Sequence, residues 1–171
     1  MSPSPARPRL WRVLAAGLAI LAILGATSPA GAAKPPRVLL TGGDHWFTHP
    51  VGSYQVVLGR ADVQLGKQTS TGDLVANVVP DDHSLPAAGE CESSLTSVWV
   101  TGDGDSPDVN ITGVGEMCGH FVQEPVSVVV YSFTGEAYFE EVGSRRLNNK
   151  VGFLDIRLAQ DGRAHVFATL E

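Results

Sequence analysis

The chain has 171 residues, of which 18 are acidic and 12 basic, and its formal net charge at pH 7 is −6. Such an acidic surface repels phosphate backbones and anionic lipid headgroups, so nucleic-acid binding and electrostatic docking on a membrane are disfavoured. The length allows one domain with a hydrophobic core and is too short for two comfortable ones.

An N-terminal export signal is predicted at residues 1–33. Three arginines precede an apolar run at residues 13–26, and small residues follow it at 30–33. The run has about 14 residues, fewer than the roughly 20 that a membrane-spanning helix needs. We therefore expect cleavage after Ala32 or Ala33 and secretion of a chain with no stable membrane anchor. The mature chain then has 9 basic and 18 acidic residues, a formal net charge of −9.

After the leader, the sequence predicts an extended N-terminal segment at residues 34–50 and a single β domain at 51–171. Pro35 and Pro36 exclude a helix and donate no ladder hydrogen bonds. Short β-favouring runs then alternate with Gly, Pro, Asp and Asn, and helical periodicity is nearly absent. This pattern predicts an all-β fold, either an antiparallel β-sandwich or a closed barrel of about nine or ten short strands.

The predicted strands differ in how many of their faces are apolar. In chain order they are 53–58, 61–65, 73–79, 95–101, 108–112, 126–133, 137–142, 152–159 and 164–170. Val126–Phe133 is apolar on both faces, which is typical of a central strand covered on both sides. Gly152–Ala159 instead alternates, with Leu154, Ile156 and Leu158 on one face, as expected of a strand with one solvent face. Asp161-Gly162 then favours a hairpin turn into the last strand.

The only two cysteines are Cys91 and Cys118. Because an exported chain folds in an oxidising compartment, the two thiols are predicted to form a disulfide. The alternative, a catalytic thiol, requires one cysteine to be free beside a histidine, and His120 is the nearest in sequence.

Carboxylates cluster at residues 102–110, Gly-Asp-Gly-Asp-Ser-Pro-Asp-Val-Asn. Calcium prefers several oxygen ligands at once, but the EF-hand pattern fails here, because Val114 stands where a glutamate is needed. Glycine, proline and aspartate are also typical of a hairpin turn, which is the preferred interpretation. Calcium binding by the stretch from Asp103 to Asn110 is left open.

The remaining polar motifs predict no catalytic, cofactor-binding or metal-binding residue. The five histidines (His45, His49, His83, His120 and His165) are scattered, and none has a zinc spacing with cysteine. No nucleophile elbow, phosphate loop or dinucleotide fingerprint is present. We therefore expect no cofactor.

The segments 89–92, 115–119, 133–138 and 152–154 carry glycine, cysteine and aromatic residues in an order that resembles uncharacterised secreted proteins of actinobacteria. The similarity covers most of the mature chain and implies no function. Residues 125–131 and 145–147 also look like the C-terminal strands of secreted subtilisin inhibitors. That family has two disulfides and helices packed on its sheet, and this chain departs from it on both counts.

The sequence thus predicts a non-enzymatic extracellular binding or envelope-associated module, because rigid sheets with long loops are common recognition scaffolds. Its partner would be an extracellular ligand or envelope component. The alternatives are a hydrolase whose site is built from distant loops and a secreted protease inhibitor. A hydrolase would bring at least two of His45, His83 and His120 together with a carboxylate such as Asp82.

Overall fold

The computed structural model describes residues 37–51, 54–121, 129–143 and 145–170. The predicted signal at 1–33 and the first residues of the predicted strand 126–133 lie outside them. The described residues form nine strands: β1 (Val38–Gly42), β2 (His45–Thr48), β3 (Gln55–Leu65), β4 (Gln68–Pro80), β5 (Cys91–Gly102), β6 (Val109–Gly119), β7 (Val129–Glu141), β8 (Lys150–Ala159) and β9 (Ala164–Leu170). No helix among them is long and apolar enough to span a membrane.

Eight of the strands close into an antiparallel barrel. The order is β1-β9-β8-β7-β6-β5-β4-β3, and the second half of β3 returns to pair with β1. β2 is an extra strand that pairs with the first half of β3. The all-β prediction is confirmed, and of the two predicted architectures the structure is the closed barrel. Closure leaves each barrel strand with a neighbour on both sides, so its backbone groups find partners within the wall.

The interior of the barrel is filled by side chains from alternate positions of its strands. Phe133 and Phe139 of β7 are the largest of them and are almost fully buried. The predicted alternation of β8 is confirmed, since Leu154, Ile156 and Leu158 all point into the core. A barrel of eight strands has an interior just wide enough for such side chains. The described interior is therefore a packed core.

Trp46 of β2 covers one end of this core. Its indole Nε1 donates a hydrogen bond to the carbonyl oxygen of Ala159 at 2.8 Å, and its ring meets Tyr131 edge to face at 6.1 Å between centroids. β2 therefore ties the hairpin between β8 and β9 to the first half of β3.

Two of the observed strands are longer than predicted, because each combines two predicted strands. Residues 55–58 and 61–65 of the first two predicted strands lie in one strand, β3, which continues through Gly59. Residues 129–133 and 137–141 of the predicted strands 126–133 and 137–142 lie in one strand, β7, which continues through Gly135. Glycine was interpreted as a break between strands, but here it permits strong curvature. A Cβ atom on Gly135 would overlap the carbonyl oxygen of Val114 on β6. Such glycines allow neighbouring strands to approach closely where a small barrel bends.

Two further predictions differ from the structure in part. The segment 34–50 is extended where it is described, but it contains β1 and β2, so the β domain begins before residue 51. β7 lies centrally, between β6 and β8, as predicted. The described part of the predicted strand, residues 129–133, has no exposed residue, but the rest of β7 has a solvent face at Thr134, Glu136 and Tyr138. The wall of a barrel has one solvent face, whereas a central strand of a layered fold has none.

Candidate functional site

The predicted disulfide is confirmed at the open end of the hairpin formed by β5 and β6. Cys91 and Cys118 are directly opposite each other in the strand register, with their Cα atoms 4.0 Å apart. The Glu116 carboxylate lies within 4.8 Å of both sulfurs, a grouping able to hold a metal ion if the thiols were free. Because both sulfurs are joined to each other, only the carboxylate remains as a ligand. This cluster is therefore a structural bridge.

The acidic segment is a turn between β5 and β6, and two of its three carboxylates, those of Asp103 and Asp108, already have partners. The Arg60 guanidinium binds Asp73 at 2.7 Å and also binds Asp103. These hydrogen bonds, first that to Asp103, raise the pKa of Arg60 above its usual value. Asp108 accepts a hydrogen bond from the backbone N–H of Gly102 at 3.0 Å. Within the described residues, the carboxylates of this turn do not converge on one point as calcium ligands would.

The three histidines singled out for a hydrolase do not share a site. His45 lies on β2, 3.5 Å from the Asp44 carboxylate, and His83 lies in the loop after β4 with a left-handed φ of 57°. The Asp82 carboxylate accepts hydrogen bonds from Ser84, which lower the pKa of Asp82 below its usual value. His120 follows β6. The predicted criterion for a hydrolase is therefore not met by these residues.

His120 does have one polar contact that resembles catalytic geometry. Its Nε2 lies 2.7 Å from Oγ of Ser132 on β7. Both residues line a shallow depression of about 320 Å³, together with Val129, Thr134, Asp155 and Arg157. An activated serine needs a base that a third group orients. Asp155 is the nearest candidate in this depression, but its carboxylate accepts hydrogen bonds from Arg157 at 3.0 and 3.4 Å.

A second depression, of about 490 Å³, lies on the other side of the same ion pair. It is lined by Phe153, Asp155, Arg157, His165 and Phe167 on β8 and β9. The two depressions thus meet at Asp155 and Arg157, which are adjacent outward positions of β8. The Asp155 side chain is only 14 % exposed, so this pair forms a fixed polar ridge between them.

Exposed hydrophobic side chains are a third feature of the surface, on the strands from β4 to β8. Ten large hydrophobic side chains of the described residues are exposed, and seven of them are on these five strands. We call this surface the β4–β8 face; its exposed apolar residues are Val75, Leu95, Trp99, Val114, Tyr138, Val151 and Phe153.

The strand register brings several of these residues together. Leu95 of β5 is directly opposite Val114 of β6, and Tyr138 of β7 is directly opposite Val151 of β8. Phe153 and Val114 are both register partners of Glu136, one from each side. On one face of an antiparallel pair, directly opposite side chains are in contact range. The register therefore groups Leu95, Val114 and Phe153 in one cross-strand row, with Glu136 between the last two and the pair Tyr138–Val151 beside it.

Four of these five strands carry only negative charge, whereas β8 has Lys150 and Arg157 besides Asp155. Within the described bounds of β4 to β7 there is no lysine or arginine, while there are six carboxylates: Asp73, Glu92, Glu116, Glu136, Glu140 and Glu141. The Tyr138 hydroxyl donates a hydrogen bond to Glu136 at 3.2 Å, which raises the pKa of Tyr138 above its usual value, with a smaller contribution from the nearby negative charge. Glu140 accepts hydrogen bonds from Asn110 and Thr112.

Sequence reasoning did not single out this face. In β5, Leu95 and Trp99 point to one face of the sheet and Val98 and Val100 to the other, so both faces of the strand are apolar. The parity pattern alone does not say which face is the core. A signal was present in the absence of Lys and Arg from seven successive predicted strands, 53–58 to 137–142.

Comparison with known proteins finds no matching protein family, no matching curated protein and no matching solved structure.

Proposed function

We propose that this chain is exported and acts outside the cytoplasmic membrane as a non-enzymatic binding module whose contact surface is the β4–β8 face. One observation carries the proposal: most of the exposed large hydrophobic side chains lie on adjacent strands instead of being scattered over the barrel. Single exposed hydrophobic residues are ordinary, but a contiguous group with a polar rim is typical of an interaction site. The packed core supports the same proposal, because side chains fill the described interior and a ligand would have to bind on the outer surface.

Export is supported by the N-terminal pattern and by the disulfide. Export predicts that the secreted protein begins at Ala33 or Lys34. Mass spectrometry of the culture supernatant of an expressing bacterium measures this directly. Recovery of the intact chain with Met1 in the membrane fraction would contradict export.

Binding is tested by co-sedimentation with cell-envelope fragments from an actinobacterium. The variant Leu95→Ser with Phe153→Ser removes two apolar side chains of the face. The matched control, Phe47→Ser with Val51→Ser, removes two exposed apolar side chains elsewhere, with exposures of 41 and 75 % against 51 and 43 % on the face. We expect the control to sediment like the wild type and the face variant to stay in solution. Equal sedimentation of the two folded variants would refute the proposal.

A serine hydrolase is the second candidate, because the 2.7 Å contact between His120 and Ser132 is the geometry of a nucleophile and its base. It predicts that a fluorophosphonate probe labels the wild type and labels neither Ser132→Ala nor His120→Ala. His120 is exposed, and Asp155 is already paired with Arg157. For these reasons we rank the hydrolase below the binding module. Absence of labelling in the wild type removes it.

A further inference from the structure

We propose that the partner of the β4–β8 face is a cationic amphipathic helix. This inference rests on the proposed function and adds to it the chemical class of the ligand. It is carried by three properties of the face: the closed backbone of the wall, the sign of its charges and the arrangement of its apolar side chains.

The closed backbone excludes one common mode of peptide recognition. β5, β6, β7 and β8 each have a paired neighbour on both sides. An extended peptide binds a sheet by adding a strand to a free edge, and these strands offer none. A partner of this face must therefore make its contacts through side chains and satisfy its own backbone hydrogen bonds. A helix does so, because its N–H and C=O groups are paired within the segment.

The charges select a basic partner. The described residues of β4 to β7 contain six carboxylates and no basic side chain. The basic residues of the face are on β8, where Arg157 is paired with Asp155 and Lys150 lies at the start of the strand. Asp73 is already bound to Arg60 of β3, but Glu116 and Glu136 have no basic partner among the described residues and flank Val114. An acidic or neutral partner would leave these carboxylates uncompensated as water is excluded, whereas lysine or arginine at the rim pairs with them.

The apolar side chains form a row whose length suits a short helix. Leu95, Val114 and Phe153 lie in one cross-strand row from β5 to β8, with Glu136 between the last two. Neighbouring strands are about 4.8 Å apart, so the row extends about 14 Å along the wall. A helix of about 10 residues has that length. Apolar residues at every third or fourth position of such a helix would contact the row, and basic residues beside them would reach the glutamates.

A second copy of this chain is a poorer occupant. A two-fold interface places the same surface on both subunits, so Glu116 and Glu136 of one copy would face the same acidic surface of the other. Like charges facing each other across an interface are unfavourable. We therefore expect the mature chain to be monomeric at the concentrations of the binding assay.

The test uses the mature chain with its disulfide and two synthetic 14-residue peptides labelled with a fluorophore. One peptide has leucine on one helical face and lysine on the other; its matched control has glutamate in place of each lysine. Fluorescence anisotropy gives the affinity, and circular dichroism reports helix formation on binding. We expect the Lys/Leu peptide to bind and become helical, its affinity to fall as salt is raised, and the Glu/Leu peptide not to bind.

Two sets of substitutions locate the contact. Leu95→Ser with Phe153→Ser removes the apolar part of the row, and Glu116→Gln with Glu136→Gln removes its charge. Each is expected to weaken binding about tenfold or more. The controls Phe47→Ser with Val51→Ser and Glu90→Gln, all at exposed positions away from the face, should leave the affinity unchanged.

Three outcomes would overturn the inference: equal binding of both peptides, equal binding by face and control variants, or a dimer in sedimentation velocity that the face substitutions dissociate. The envelope assay separates this failure from failure of the proposed function. If the Lys/Leu peptide does not bind but envelope binding still depends on Leu95 and Phe153, the partner class is wrong and the binding face is retained. If envelope binding does not depend on them, the proposed function fails.

Discussion

Removal of the Cys91–Cys118 bridge is expected to lower the free energy of unfolding by about 3.5 kcal/mol. The two cysteines are 27 residues apart in sequence. In the chain-entropy model, cross-linking a loop of this size removes about 12 cal/mol/K from the unfolded chain, which is about 3.5 kcal/mol at 25 °C. Cys91 is exposed and Cys118 half-buried, so replacing both by alanine opens no large cavity in the folded barrel. The loss should therefore arise mainly in the unfolded state.

For a domain of about 140 residues, the unfolding entropy is about 0.3 kcal/mol/K, so the expected loss lowers Tm by about 12 °C. Urea denaturation of Cys91→Ala with Cys118→Ala, followed by the fluorescence of Trp46 and Trp99, measures the free energy directly. The dependence on urea should steepen, because the unlinked chain exposes more surface. Wild-type protein reduced with a phosphine is the control and should match the variant.

Two results would refute this reasoning. An unchanged unfolding midpoint would mean that the bridge does not restrict the unfolded chain. A loss of more than about 6 kcal/mol, beyond the range of disulfide effects, would mean that the bridge holds the packing of the folded barrel, with circular dichroism then showing loss of strand structure.

Three further outcomes are expected at single residues. Gly115→Val should destabilise the barrel by more than about 2 kcal/mol in urea denaturation, because a Cβ atom there would overlap the carbonyl oxygen of Thr134; an unchanged midpoint would contradict the close approach. Gln55→Met should raise the free energy of unfolding by about 1 kcal/mol, because the buried Nε2 has no hydrogen-bond partner among the described residues, while the exposed Thr48, which donates to Oε1 at 3.0 Å, can bond water instead; a loss would mean that the Thr48 bond outweighs the unpaired Nε2. Tyr138 has a raised pKa in the folded state, so its hydrogen bond to Glu136 contributes stability below about pH 10 that is lost as the pH rises through the folded pKa. Ultraviolet titration of the phenolate should show a lower pKa for Tyr138 in Glu136→Gln, and an unchanged titration would count against that bond.

Local signals in the sequence were sufficient for the last two strands and for the disulfide. β8 has one solvent face, so its strict alternation identifies both the strand and its buried residues. Gly162 takes a left-handed φ of 83°, as the predicted turn requires. The disulfide was predicted from the expected oxidising compartment and from the presence of only two cysteines, which then have only each other as partners.

Closure of the barrel was not predictable from local signals. Glycine is typical of a break between strands, so Gly59 and Gly135 favoured breaks in the sequence. Both lie inside strands because neighbouring backbone approaches them too closely for a larger residue. β1 has five residues and follows two prolines, so it has little strand signal of its own. It is a strand because β3 and β9 both pair with it, and those pairings are far apart in sequence.

The β4–β8 face was missed for a related reason. Where both parities of a strand are apolar, as in β5, alternation identifies two faces without saying which is buried. The answer depends on which way the sheet curves, and this is a property of all eight strands together.

The most direct test of the proposed function is nuclear magnetic resonance of the isotope-labelled mature chain during titration with solubilised actinobacterial envelope material. The account predicts that the backbone amide signals that shift belong to β5, β6, β7 and β8, with Leu95, Val114 and Phe153 at their centre. Shifts that centre instead on His120 and Ser132, or on the opposite wall of β1 and β3, would contradict it.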